Sequence, residues 1–271
     1  MIISALAFTF MNLTVKYLIH LSAPQIVFFR SAGSLFFTFG VLIPRNINII
    51  GNNPKLLILR GLFGVVAMSL FFESMKYLTA GTAVSLRYLS PIFAAIFAAI
   101  ILKEKIKSVQ WLLFLVAFSG VLILRGFDSS ISTHGLTLIL LASVFSGLVY
   151  IVISKIGTTE HPVVVVNYFM MIATLVGGVL SIKSWINPIG IEWILLLSLG
   201  VYGYFGQLYM TKAFQIAKAN QVAPFKYIEV VFTLLLGVLW FGEIYTIWSV
   251  VGIVLIISAL ILNVLTSEKG T

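Results

Sequence analysis

The sequence contains no cysteine, a single aspartate and only three histidines. Without cysteine there are neither disulfides nor thiolate metal sites. One Asp and three His are too little material for a His/carboxylate metal centre or a Ser-His-Asp triad. Charge of either sign is scarce as well. Asp, Glu, Lys and Arg together make up 9% of the 271 residues, whereas 61% are apolar, and the mean hydropathy is +1.13. A water-soluble domain of this length needs a surface of roughly one-quarter charged residues or more, and these charges do not cover one. The chain therefore reads as an integral membrane protein, for which the lipid bilayer is itself a partner. The net charge of +9 does not indicate nucleic acid. The basic residues are scattered along the chain, mostly at the ends of apolar runs, and form no basic stripe with interleaved aromatics.

What the sequence does have is apolar runs. Ten are separated by polar punctuation: roughly 2–20, 24–43, 56–76, 80–102, 108–125, 134–156, 161–182, 190–212, 218–241 and 245–266. Each is close to the ~20 residues needed to cross a bilayer as a helix. The runs are continuously apolar and lack the alternation of barrel strands, so the spanning form is helical and the fold class all-α. Pro24 and Pro162 stand where the first helical turn tolerates proline. Residues 1–18 lack a basic lead and a small-residue cleavage site, and read as a retained first helix.

Orientation follows from Lys and Arg. With a cytoplasmic N-terminus, the inner loops, helix ends and tail carry Arg45, Lys55, Arg60, Lys103, Lys105, Lys107, Lys155, Lys212, Lys218 and Lys269. The outer side carries Lys16, Lys76, Arg125 and Lys183. The excess predicts both termini on the cytoplasmic side. Trp111, Trp185, Trp193 and Trp248 near run ends fit interfacial aromatics.

A shift of 139 positions lays the second half over the first. Lys155 then meets Lys16, Gly200 and Gly203 meet Gly61 and Gly64, Tyr227 meets Tyr88, Glu243 meets Glu104, and Lys226 meets Arg87. Rare charged residues fall into one register, as duplication requires. The repeats are 1–126 and 134–266, with 267–271 as a cytoplasmic tail. Five helices in each half force the halves to enter the membrane in opposite senses. Such inverted repeats go with alternating-access transport.

The same pattern resembles the drug/metabolite transporter superfamily, EamA branch, over nearly the whole chain. The resemblance is carried by Phe28-Phe29-Arg30, Leu59-Arg60-Gly61, Pro91-Ile92-Phe93, Leu102-Lys103-Glu104 and Gly120-Val121-Leu122. In the second half it is carried by Gly206-Gln207, Pro224-Phe225-Lys226-Tyr227 and Phe241-Gly242-Glu243. It implies ten helices, a central cavity between the first four helices of each half, and the fifth and tenth at the periphery. It does not fix a substrate.

Ionisable side chains inside a hydrophobic span are expensive and face a cavity or a partner. Arg87 lies about 10 Å into the fourth helix, where it either binds an anionic group or pairs with Glu73. Pro91 is expected to kink that helix; Ser90, Ala94 and Ala98 form its inward face, and Ile92, Phe93 and Ile96 its lipid face. Lys226 mirrors Arg87 on the other side of the midplane and shares a face with Glu229; either a substrate anion held near Arg87 in one state passes to Lys226 in the other, or Lys226 pairs with Glu229 three residues on. Glu73 is kept as a cavity residue; it reads as a proton-coupling or cation-binding site, with Glu229 second, or, favoured over coupling, as an outer-end pair with Lys76. Arg30 reads as structural, and Glu104 and Glu243 as loop-fixing. Asn12, Tyr150, Gln207, Tyr88 and Tyr227 complete the expected cavity lining.

The reading is a secondary transporter of a small polar or zwitterionic organic metabolite, such as an amino acid or an S-adenosylmethionine-like compound. Its partners are a small-molecule substrate, the bilayer and H⁺ or an exchanged solute, in a monomer or homodimer and with no cofactor. No phosphate-binding loop points to ATP as the direct energy source. A bacterial inner membrane is the expected location. The alternatives are a flippase for a lipid-linked substrate and a membrane-embedded enzyme, the latter disfavoured by the missing nucleophile–base and metal sets.

Overall fold

The computed structural model describes residues 1–101, 107–127, 132–216 and 228–268. Among these there are eleven α-helices and no strands: α1 (Ile2–Tyr17), α2 (Ala23–Leu42), α3 (Pro54–Ser74), α4 (Ala80–Arg87), α5 (Ser90–Ile101), α6 (Ser108–Phe127), α7 (Thr133–Ile156), α8 (Pro162–Ser181), α9 (Glu192–Ile216), α10 (Ile228–Phe241) and α11 (Ile247–Glu268). Six stretches are long and apolar enough to cross a membrane, one of them α4 and α5 taken together as Ala80–Ile101. Four further helical stretches are apolar and shorter. Large apolar side chains face outward along them, among them Leu122, Ile194, Leu239 and Ile247. A multi-pass membrane protein presents such a surface to lipid.

Local chemistry sets the helix starts. Ser22, Asn53, Thr79, Ser132 and His161 stand at N-caps and accept from a backbone N–H two or three residues on. Pro24, Pro54 and Pro162 occupy the first turns of α2, α3 and α8. There the missing N–H would have no partner in any case. The 139-residue register carries into the structure, since α2 (Ala23–Leu42) and α8 (Pro162–Ser181) begin and end at matching positions.

The two halves interleave. α2 packs on α8 and α9, α3 on α7 and α8, α1 on α9 and α10, and α5 on α7. α6 pairs with α11. Close approach between α2 and α9 depends on glycine: a Cβ on Gly200 would lie 2.6 Å from Gly33 Cα. Small residues of this kind let helix backbones meet in a membrane. Ser34 Oγ then reaches Gly200 O at 2.9 Å.

The fourth apolar run does not stay one straight helix. α4 ends at Arg87, Tyr88 and Leu89 form a turn, and α5 restarts at Ser90. Pro91 has no N–H to continue the ladder, so the break falls just before it. The break rotates α5 relative to α4, and the expected faces do not run through it. Ile92, expected toward lipid, is 1% exposed and part of the core.

Candidate functional site

The break in α4–α5 places Arg87 and Tyr88 at the inner end of a half-helix. Opposite them α10 opens with Glu229 in its first turn. Glu229 is 1% exposed and takes three donors. Arg87 Nη2 donates to Oε1 at 2.5 Å, Asn12 Nδ2 to the same oxygen at 2.9 Å, and Tyr88 Oη to Oε2 at 2.6 Å. An otherwise costly buried carboxylate is thereby fully paired. The pair joins α4 of the first half to α10 of the second, with α1 supplying Asn12.

This cluster borders a cavity of about 120 Å³. α1 contributes Phe8 and Met11, α2 Arg30, and α3 Arg60, Gly64, Met68 and Phe71. α7 contributes Ser146, Val149 and Tyr150, α8 Phe169, and α9 Gln207 and Met210. Arg87, Tyr88, Ser90 and Glu229 close the circle. Among the described residues, none from α6 or α11 lines it. Its volume approaches the roughly 150 Å³ that holds a benzene-sized molecule. The guanidinium of Arg87 lies over the Phe71 ring at 4.1 Å, and that of Arg60 over Phe169 at 4.2 Å. These are cation–π distances.

Of the residues expected at the site, Arg87, Tyr88, Tyr150, Gln207 and Glu229 line the cavity, and Asn12 stands behind Glu229. Arg87 pairs with Glu229 and not with Glu73. Glu73 is absent from the lining; it lies in the last turn of α3, about one-third exposed, and pairs with Lys76 at 2.9 Å. Lys226 and Tyr227 lie outside the described residues, as does Glu104. Sequence reasoning missed the cavity role of Arg30 and Arg60. From sequence Arg30 reads as structural and Arg60 as an inner helix-end charge, yet both are buried, at 2% and 3% exposure. The available signal was depth: Arg60 stands six residues past Pro54, about 9 Å into α3.

A second polar cluster closes the end of the bundle where α1, α3 and α10 finish. Lys16 Nζ donates to Met75 O at 2.9 Å and Leu78 O at 2.8 Å, the free carbonyls after α3. Glu243 Oε1 accepts from Ala80 N at 2.8 Å, at the start of α4. Cation and anion thus sit at the helix ends whose dipoles favour them. Tyr245 Oη donates to Glu243 and accepts from Gly81 N at 3.2 Å. Lys16 and Glu243 lie 4.0 Å apart across the two halves. Glu243 therefore does more than fix its own loop.

The chain is similar to known transporters. The profile of the EamA-like transporter family matches it twice, over residues 1–126 and 133–265. The pseudopaline exporter CntI of Pseudomonas aeruginosa strain UCBPP-PA14 is 30% identical over 263 residues, covering 96% of this chain and 93% of that protein. Human solute carrier family 35 member G1 is 28% identical over 95% of this chain and 76% of its own length. The S-adenosylmethionine uptake transporter of Rickettsia prowazekii is 27% identical over 94% and 87%. One solved crystal structure superposes with a TM-score of 0.71 at 14% identity, covering 100% of this chain and 98% of that one, a likeness of fold.

Proposed function

The chain belongs to the EamA-like transporter family, and from that premise we propose that it is a secondary transporter working by alternating access. Its cargo is a small polar or zwitterionic organic metabolite of about amino-acid size in this conformation. The observation that carries the reading is the buried Arg87–Glu229 pair, which borders a cavity walled by helices of both halves. A zwitterion offers each partner a replacement: its carboxylate takes Arg87 and its ammonium takes Glu229. Binding then parts the pair that links the halves, which is how a substrate shifts a two-state equilibrium. Exporter and uptake transporter both occur among the relatives, so the fold serves either direction.

The two halves are read as five-helix repeats of opposite membrane sense, ten helices in all, with both termini cytoplasmic, as in a bacterial inner membrane. On that orientation the Lys16–Glu243–Tyr245 cluster is the outer gate. It bridges the halves and must open for the cavity to reach the far side. Transport is coupled to H⁺ or proceeds by exchange; of the candidate carboxylates, Glu229 borders the cavity and Glu73 pairs with Lys76 outside its lining. The test is counterflow in proteoliposomes loaded with single metabolites, with and without a pH gradient. Accelerated uptake by trapped substrate is expected; its absence across amino acids, S-adenosylmethionine and organic phosphates in folded protein would refute the reading.

A further inference from the structure

The cavity holds more cation than its described walls can match. Three guanidiniums line it, Arg30, Arg60 and Arg87, against one carboxylate, Glu229. Arg87 and Glu229 neutralise each other. Arg30 and Arg60 have no carboxylate partner among the described residues. Arg30 donates from Nε to Met11 Sδ at 3.1 Å and from Nη1 to Met68 Sδ at 2.6 Å. Thioether sulfur is a weak acceptor. Arg60 has a long bond to Gln207 Oε1 at 3.4 Å, and its buried Nε and Nη1 have no partner among the described residues.

Both guanidiniums lie over the Phe169 ring, at 5.6 Å and 4.2 Å from its centre. Gly64 makes room for this. A Cβ there would stand 2.9 Å from Phe169 and 3.2 Å from Arg60 Nη1. Arginine stays charged and offers a planar fork matched to carboxylate and phosphate. Two buried forks without an anion are a large uncompensated cost. An amino acid with one carboxylate brings its own ammonium and leaves that excess unchanged.

We propose that Arg30 and Arg60 form an anion subsite on Phe169, so that the transported molecule carries a second acidic group, a carboxylate or a phosphate, beyond the one that meets Arg87. This rests on the cavity being the transport site. The Arg87–Glu229 pole receives the zwitterionic end, and the Arg30–Arg60 pole receives the added acid.

The test compares matched probes on the full chain in lipid nanodiscs: L-glutamate against L-glutamine, and O-phospho-L-serine against L-serine, read as binding by calorimetry. The acidic member of at least one pair is expected to bind tenfold or more tightly than its neutral partner, the size of one charged hydrogen bond. Advantage in the first pair assigns a carboxylate, and in the second a phosphate. Arg60→Gln, and independently Gly64→Ala, should cut the ratio of acidic to neutral binding to about threefold or less. Equal binding within both pairs, or an advantage that survives both substitutions, would overturn the subsite. Counterflow with the same four compounds separates the two readings. Uptake driven by the neutral members alone upholds the carrier and overturns the anion subsite. Acid-selective binding without any counterflow upholds the subsite and overturns the carrier.

Discussion

Arg87 and Glu229 are 142 positions apart in the chain and 2.5 Å apart in space. One ends the half-helix α4 in the first repeat and the other opens α10 in the second. The contact is therefore both an internal ion pair of the cavity wall and a tie between the two halves. Asn12 and Tyr88 complete the shell of Glu229, so loss of either charge leaves the other buried among groups placed to serve a pair.

Substituting one partner alone should be costly. Glu229→Gln leaves three cavity arginines with no carboxylate among the described lining, and Arg87→Ala leaves a buried carboxylate held by two neutral donors. Each is expected to lower stability by about 3–5 kcal/mol. The double variant Arg87→Gln/Glu229→Gln should recover most of that loss without recovering transport. Thermal unfolding in nanodiscs and counterflow separate the two effects; single variants as stable as the parent would show that the pair is not what holds Glu229.

The proposed outer gate can be tested by the accessibility of a single engineered thiol, because the sequence has no cysteine. Ser146 lines the cavity, and Ser146→Cys should be poorly labelled by a membrane-impermeant maleimide added from outside. Adding Glu243→Gln removes the anion that accepts from Ala80 N and Tyr245 and faces Lys16. Labelling should then rise several-fold. An unchanged rate would mean that this cluster does not gate the cavity.

The α2–α9 crossing admits no side chain at its narrowest point. Gly200→Ala places a methyl against Gly33 backbone, and overpacking of this kind costs about 1–3 kcal/mol. It also pushes Ser34 Oγ away from Gly200 O. A lowered thermal midpoint is expected, and a larger loss for Gly200→Val. Gly40, on α2 with open space around its Cβ position, serves as the control.

At the start of α8, His161 Nδ1 accepts from Val163 N at 3.3 Å, which requires that nitrogen to be unprotonated. Partial burial, with Arg45 and Lys212 nearby, holds the imidazole below its usual pKa of 6.5. The unfolded chain therefore binds the proton more readily. The cap's contribution is fully present above pH 6.5 and is lost as pH falls through the lowered folded value. Hydrogen exchange at Val163, corrected for intrinsic rate, should accelerate in acid, and His161→Asn should flatten that dependence while keeping the cap.

Much of the architecture was legible because periodicity along one helix and punctuation between helices are local properties. Apolar runs and first-turn prolines depend on neighbours in sequence, and the 139-residue register is read by laying one half over the other; α2 and α8 begin and end at matching positions. Depth identified Arg87, and the shared helix face identified Glu229. What depth cannot give is rotation about the bundle. Arg30 and Arg60 meet only because α2, α3 and α8 converge on Phe169, a relation with no signature in any one segment. Arg60 was also absorbed by the orientation count, where a cation one and a half turns inside a helix looks like an end charge. Glu73 takes the end-of-helix pair with Lys76, because α3 stops one residue later. Ile92 was misplaced because a two-residue break resets the helical phase before it.

The most direct test of the account is counterflow by the parent chain and by Arg87→Ala in matched proteoliposomes, at equal reconstituted amounts of folded protein. The account predicts trans-stimulated uptake of one small acidic or zwitterionic metabolite by the parent, reduced at least tenfold in the variant, since one lost charged hydrogen bond is worth about that factor. Uptake by the parent that trapped substrate does not accelerate, or uptake that Arg87→Ala leaves intact, would contradict it.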